Sequence, residues 1–579
     1  MPTARCPLAV GIKEQLSPAL LPCFPKGMAP LHTSSALPLQ PHLLHWGAAA
    51  AVQRARLFQD DKDFVDMPLK SNPGECPPQS AVLFPGPESP LRLTQFVESH
   101  FFPPGKELES WMPPDWSDSI PLLERISDEK LRSWGRVLNA KWKQLGRQVT
   151  SPWRYSLIYV PNPVIVPGGR FREYYYWDSF WILEGLLLSN MAATAKGLIQ
   201  NFLYLVSKFG HIPNGGQVYY KRRSQPPLLS PMMESYLSHT NDTEFLRQVE
   251  HTHLYHFWQD HRAVNISVGG KQYSLNCYSV QVGEPRLPPP ASPPVSRRSS
   301  AELLSVAESG WDFSSRWFLP GFPSLQHPLQ DTRVREIVPV DLNAILCKVE
   351  QLLATFYQVL GEKWDKEASQ FWAARREQVA ALTVWLDYHF LHQRHNPAFY
   401  PCNLSPLWAE CDVDLPRAEK MLRYLEESSA LSYANGLPTS LTQTGEQWDF
   451  PDAWAPLQHM VITGLVKPSS AQARELAFSL AQQWLQMNLA VYEKHGGMFE
   501  KYDVEGPTCP IPLPFPLQEG FGWTNGVALQ LLDLYGDQLT SASVLCSPAR
   551  AWIGTYLVLI SRLPGFRGDG PVHPLWLGS

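Results

Sequence analysis

Two carboxylates stand out by what surrounds them. Asp312 lies in the run Glu308-Ser309-Gly310-Trp311-Asp312-Phe313-Ser314-Ser315-Arg316-Trp317. Gly310 permits a backbone to approach a ligand closely, and Trp311 and Phe313 flank a carboxyl that would then be partly desolvated. Desolvation raises a carboxyl pKa and suits it to donate a proton. Glu500 lies in Gly496-Gly497-Met498-Phe499-Glu500-Lys501-Tyr502-Asp503, just past a helix end. One protonated and one ionised carboxyl are what acetal hydrolysis without a cofactor requires: the first protonates the leaving oxygen, the second activates water. Plainer readings stand beside these. Asp312 could form an Asx-turn or a helix cap, and Glu500 could be a surface glutamate paired with Lys501. Asp178, in Tyr174-Tyr175-Tyr176-Trp177-Asp178-Ser179-Phe180, and Asp449, in Gln447-Trp448-Asp449-Phe450-Pro451, pose the same choice between chemistry and capping. Arginines recur in similar loops: Arg170 after Gly168-Gly169, Arg223 before Ser224-Gln225, and Arg286. A guanidinium offers a fixed fork of donors to hydroxyls and carboxylates.

The elements that must position these groups read as helices. Leu183, Leu186, Leu187 and Met191 recur at helical spacing from about Phe180, and the pattern resumes through Leu198, Phe202 and Leu205 to a stop at Gly210. Leu352, Phe356 and Leu360 continue a helix begun near Asn343 and ended by Gly361. Leu476, Leu480 and Trp484 belong to one running from Ala471 to Gly496, and Val527, Leu531 and Leu534 to one running from Thr524 to Gly536. Strand-like alternation is confined to short pieces such as Val264 to Tyr273. The class is mainly α. Helices alternate with irregular loops loaded with Trp, Asn, Arg and carboxylates. An α/α toroid collects such loops at one end, over a rigid scaffold. Arg286 to Ser300, dense in Pro and Ser, reads as an exposed loop.

Composition narrows the function classes. A net charge of −5 with mixed signs shows no basic stripe for nucleic acid. Aromatic residues reach 12%, with 21 Trp, which suits both a large core and a site for the apolar faces of sugars. The nine cysteines are scattered, with no CxxC pair and no His/Cys cluster at zinc spacing, so neither a disulfide framework nor a metal site is implied. Asn241, Asn265 and Asn403 begin N-x-S/T sequons. Pro, Lys and His interrupt the first fifty residues, which lack the apolar core of a signal peptide. The run Trp552 to Ile560 is too short to span a bilayer, and charged residues follow it, unlike the tail of a lipid-anchor signal.

Two long blocks resemble the signatures of the trehalase family: Pro167-Gly168-Gly169-Arg170-Phe171-Arg172-Glu173-Tyr174-Tyr175-Tyr176-Trp177-Asp178-Ser179-Phe180, and Gln447-Trp448-Asp449-Phe450-Pro451-Asp452-Ala453-Trp454-Ala455-Pro456. Shorter matches are Ile212-Pro213-Asn214-Gly215, Arg223-Ser224-Gln225-Pro226-Pro227, Pro339-Val340-Asp341-Leu342-Asn343 and Gln518-Glu519-Gly520-Phe521-Gly522-Trp523-Thr524-Asn525-Gly526. The resemblance implies an (α/α)6 barrel with its active site built by long irregular loops. It also implies hydrolysis of α,α-trehalose to two glucose molecules with anomeric inversion, without metal or cofactor, and with no nucleic-acid or protein partner. It puts Asp312 in the general-acid position and Glu500 in the general-base position. Arg170, Trp177, Asp178, Asn214, Arg223, Ser224, Gln225, Arg286 and Gly310 take sugar-contacting positions, and Trp448, Asp449, Trp454, Trp523 and Asn525 are further pocket candidates. Residues 56–540 are expected to form the catalytic domain, between a poorly ordered segment 1–55 and a tail 541–579. An extracellular or cell-surface location, lipid-anchored as in mammals, is the family expectation.

The chain departs from the family pattern in three places. Leu287-Pro288 follows Arg286 where the family has Pro-Glu, and Pro514 stands where it has a glutamate in a glycine-rich stretch. Proline restricts the backbone and removes an N–H donor. The segment Trp385 to Asn396 is shortened. A catalytically impaired sugar-binding protein is therefore the first alternative. A glycosidase of another family on the same toroid, acting on a different oligosaccharide, is the second.

Overall fold

The computed structural model describes residues 51–542, apart from 53–54, 59, 72–89, 106–107, 150–154, 250–261, 269, 281–296, 319–330, 361–384, 412, 469 and 507–520. Nearly all of the segments expected at 1–55 and 541–579, together with Arg286, Pro288 and Pro514, therefore lie outside the described residues.

Helix α1 spans Glu129–Leu145, and the Asp128 carboxylate accepts from the amides of Lys130 and Leu131 at its start. Then come α2 (Asp178–Leu188), α3 (Ala192–Phe209), α4 (Leu229–Thr240), α5 (Val340–Leu360), α6 (Ser405–Ala409), α7 (Ala455–Val466), α8 (Ala471–His495) and α9 (Gly522–Tyr535). Their contacts close a ring: α2 packs on α4, α4 on α5, α5 on α6, α6 on α7, α7 on α9, and α9 on α2. Outside the ring, α1 lies on α9, α3 on α2 and α4, and α8 on α7 and α9. This is the (α/α)6 barrel. The sequence sorts the two layers. Helices α2, α7 and α9 are buried on nearly every side, as inner helices must be, whereas α1 carries a one-sided apolar stripe. The ring closes tightly where a Cβ at Gly526 would lie 1.9 Å from the Trp181 carbonyl oxygen, so α2 and α9 meet there because position 526 has no side chain.

The strands are short. β1 (Ala263–Val268) and β2 (Lys271–Asn276) form an antiparallel hairpin where alternation was expected. β3 (Ile337–Val338), β4 (Tyr388–His389) and β5 (Arg394–His395) form a three-stranded sheet over the shortened segment. β6 (Asp452–Trp454) pairs antiparallel with β7 (Lys501–Asp503). One apolar core fills the barrel, with Trp142, Trp181, Trp311, Trp317, Trp454 and Trp484 among its largest fully buried side chains. A smaller cluster of Val52, Phe64, Met67, Leu69, Val97 and Phe101 sits under the N-terminal segment.

Two expectations need correction. The stretch read as exposed loop from Arg286 to Ser300 enters a helix at Arg297, which runs to Glu308 and packs on the turn Val334–Glu336. Cys347 and Cys411 are disulfide-bonded across 64 residues, a pairing invisible in a scattered cysteine pattern because the fold alone brings α5 beside the end of α6. Of the sequons, Asn241 and Asn265 are exposed, but Asn403 is 1% exposed and donates to Ala398 O and Tyr424 OH. No described helix is long and apolar enough to cross a membrane.

Candidate active site

The first block folds as a loop entering α2. Trp177 occupies the N-cap position and Asp178 the first helical one, and no side chain caps the helix. Asp178 is thus not a capping residue. It is 5% exposed. Burial, reinforced by the charges of Glu500 and Asp312 and opposed by its own backbone amide, pushes its carboxyl well above the ordinary range. These three carboxyls, remote in sequence, therefore share one electrostatic site.

Asp312 emerges from the turn after Glu308. Gly310 has φ +71°, and a Cβ there would lie 2.8 Å from the Trp177 ring. Its role is to let the Asp312 loop lie against that indole. The loop is clamped from behind. Asp449, fully buried, accepts from Ser314 Oγ at 2.9 Å, Ser315 N at 2.7 Å, Ser315 Oγ at 2.7 Å and Thr444 Oγ1 at 2.6 Å. The Trp448 amide donates to Phe313 O at 3.2 Å. Arg316, with no exposed surface, donates two hydrogen bonds to Asp341 and two to Asp387, at 2.7–3.0 Å, and lies over the rings of Trp311 and Trp317. Asp449 is thus an anchor of the Asp312 loop. The local cap at this point is Ser314, which accepts from Arg316 N.

Glu500 is held between β6, β7 and the start of α9. The Trp523 indole donates to Glu500 O at 3.1 Å, and Thr524 Oγ1 to Phe499 O at 2.7 Å. Lys501 does not pair with it as the surface reading supposed: Lys501 crosses to Asp452. Burial pushes Glu500 up to about 7, against Lys501 and Arg170, which lower it, and with Asp312 and Asp452, which raise it further. Desolvation outweighs its positive neighbours.

Four tryptophans pack together beside these groups. Trp448 stacks on Trp454 at 4.0 Å and 5°, Trp454 meets Trp523 edge-on at 5.7 Å, Trp523 meets Trp177 at 5.9 Å, and Trp177 closes the circuit with Trp448 at 6.0 Å. Polar groups flank it. Gln225 Oε1 accepts from Trp177 N at 3.0 Å, and Asn214 Oδ1 from Arg223 Nε at 3.1 Å. Ser224 N donates to Glu308 Oε1 at 2.9 Å, while Ser224 Oγ is buried without a hydrogen-bond partner among the described residues. Arg170 reaches Asp60 at 2.5 Å, and although burial opposes its charge, Asp60 holds its pKa above the ordinary value. Asn525 donates to Leu138 O at 3.1 Å, where it joins α9 to α1.

Several residues that hold the site escaped sequence reading. Arg262 pairs with Glu308, and Lys62 with Asp66 and Glu173, both far from the motifs in sequence. Asp60 precedes the helix Asp61–Asp66, so the N-terminal segment supplies the partner of Arg170. Arg316, Asp341 and Asp387 lay in or near quoted blocks, but their mutual clamp has no local signature.

Comparisons with known proteins agree with this architecture. The family model described as Trehalase matches residues 56–536. The trehalase of Oryctolagus cuniculus is 48% identical over 523 residues, covering 85% of this chain and 90% of the relative. The trehalase of Homo sapiens is 48% identical over 524 residues, covering 85% and 89%. That of Apis mellifera is 40% identical over 602 residues, covering 95% and 94%. Among solved structures, neutral trehalase Nth1 from Saccharomyces cerevisiae superposes with a TM-score of 0.51 at 22% identity, covering 65% of this chain and 73% of that one, and shares the fold. Helical ring, motif blocks and relatives converge, and the chain belongs to the trehalase family of glycoside hydrolases.

Proposed function

We propose that this chain hydrolyses α,α-trehalose to two glucose molecules with inversion at one anomeric carbon, Asp312 acting as general acid and Glu500 as general base. The observation that carries the reading is the electrostatic coupling of Asp312, Glu500 and Asp178 beside a tryptophan circuit. Asp312 protonates the bridging oxygen. Glu500 takes a proton from a water on the opposite face of the ring, which attacks the anomeric carbon as the leaving glucose departs. Inversion requires about 6.5–9.5 Å between the two carboxyls, leaving room for that water. Positive charge develops at the anomeric centre, and the carboxylates stabilise it more than they stabilise the neutral sugar. Arg170, Arg223, Asn214, Ser224 and Gln225 orient the hydroxyls, with Ser224 Oγ holding unused hydrogen-bonding capacity. Residues 56–540 form the catalytic domain, and the family expectation places the protein outside the cell or at its surface. Proton NMR at early turnover tests the mechanism. Equal initial amounts of α- and β-glucose are expected, and α-glucose as sole initial product excludes it.

One observation favours a second reading, a sugar-binding protein of impaired activity: Pro288 and Pro514 replace two glutamates of the family pattern. Trehalose binding by calorimetry, without glucose release from the same sample, would select it.

A further inference from the structure

A group unconnected with hydrolysis lies on the three-stranded sheet. Glu336, His389 and His392 bring one ligating atom each to within 4.8 Å of one another. Glu336 ends the turn Val334–Glu336 that leads into β3, and His389 lies opposite Ile337 on β4. The amide of Phe390 donates to Glu336 O at 3.2 Å, which locks the strand register. His392 follows in the exposed turn between β4 and β5, its ring centre 5.5 Å from that of His389. The second observation is independent of this clustering. His389 is 2% exposed, and neither of its ring nitrogens has a hydrogen-bond partner among the described residues. A buried imidazole with two unused nitrogens needs an explanation, and a ligand on one of them supplies it.

We propose that Glu336, His389 and His392 bind a zinc ion. Two imidazoles and one carboxylate form a nitrogen-rich, borderline donor set that suits Zn2+ and disfavours Ca2+ or Mg2+, which take oxygen ligands. Tetrahedral zinc with ligands at about 2.0–2.2 Å needs its donor atoms roughly 3.5 Å apart. The contraction from the present spacing falls to His392, which lies in an exposed turn. Water completes the coordination, and exposure of His392 leaves an entry path. The ion ties the β4–β5 hairpin to β3, which runs directly into α5. Asp387 and Asp341, on the two tied segments, are the partners of Arg316, four residues beyond Asp312. The site thus braces the support of the Asp312 loop from outside the active site. Two of its three ligands, His389 and His392, lie in the segment Trp385 to Asn396. The sequence showed no zinc spacing because Glu336 comes from the distant turn Val334–Glu336.

Titration of the metal-free full chain with zinc chloride, in competition with a chromophoric chelator, tests the proposal. His392→Ala and Glu336→Gln change a surface turn and the end of the turn before β3. His239→Ala, an exposed histidine elsewhere, is the control. The expectation is that the parent chain and His239→Ala bind one more equivalent of zinc than either site variant does. Zinc should raise the melting temperature of the parent and of His239→Ala and raise that of the site variants less. In metal-free buffer His392→Ala should keep the parent's rate of glucose release, or its trehalose affinity if the chain only binds sugar. X-ray absorption at the zinc edge should report nitrogen and oxygen neighbours. Equal zinc stoichiometry in parent and His392→Ala, no zinc bound at all, or sulfur in the coordination shell overturns the proposal.

Discussion

Glu500→Gln should abolish turnover and at the same time stabilise the fold, increasingly so as pH rises. Glu500 ionises near 7 in the folded protein, against an ordinary value of 4.5. A tenfold difference in proton affinity is worth about 1.4 kcal/mol, so ionising this group in the fold costs about 3 kcal/mol more than in the unfolded chain. The sign follows from proton counting. Below about 4.5 both states hold the proton. Between about 4.5 and about 7 only the folded state does, so stability falls as pH rises through this window. Above about 7 both states are ionised and the loss is complete. Glutamine is isosteric and cannot ionise, so the variant escapes the loss. The stability gap between variant and parent should widen by up to about 3 kcal/mol across the window and then stay level. Removing the charge also makes Asp178 easier to ionise, which adds to the gap. Urea titrations followed by tryptophan fluorescence, in steps across the window, measure the gap, and a glucose-release assay on the same samples measures turnover. A gap that is constant with pH, or that narrows as pH rises, refutes the argument that burial dominates at Glu500. In the parent, kcat/KM should fall as pH drops through about 7, because the base must be ionised to act.

Asp312→Asn should lower kcat by about 10²–10⁴-fold while leaving the urea midpoint close to the parent's; near-normal turnover would remove Asp312 from the general-acid role. Gly310→Ala should destabilise by ~1–3 kcal/mol, since it places a side chain at φ +71° and 2.8 Å from Trp177; unchanged stability and activity would mean the Asp312 loop does not depend on that contact. Asp449→Ala leaves the buried Ser314 hydroxyl and the half-buried Ser315 amide without their acceptor, while the exposed Thr444 hydroxyl turns to solvent. It should cost several kcal/mol, at about 1–3 kcal/mol for each unsatisfied group, and depress kcat more than KM. A loss confined to KM would reassign Asp449 to sugar binding.

The sequence by itself determined the helical elements and the candidate groups. Apolar spacing located α5, α8 and α9 and the combined span of α2 and α3, though not the break between them at Ser189–Met191, because a helix that buries one stripe or every face must write that period into its residues. The motif blocks named Asp312, Glu500 and the four tryptophans. What they do to one another was not local information. Only the closed ring of inner helices brings residues 178, 312 and 500 into one electrostatic site, and only burial there decides that Glu500 ionises near 7 despite Lys501 and Arg170. The same holds for the clamps of Arg316 and Asp449, the Asp60 partner of Arg170 and the Cys347–Cys411 bond. Each joins side chains from separate parts of the chain. Periodicity records which face of an element is dry, whereas charge pairing and desolvation depend on which other elements arrive beside it, and that is settled by packing in three dimensions.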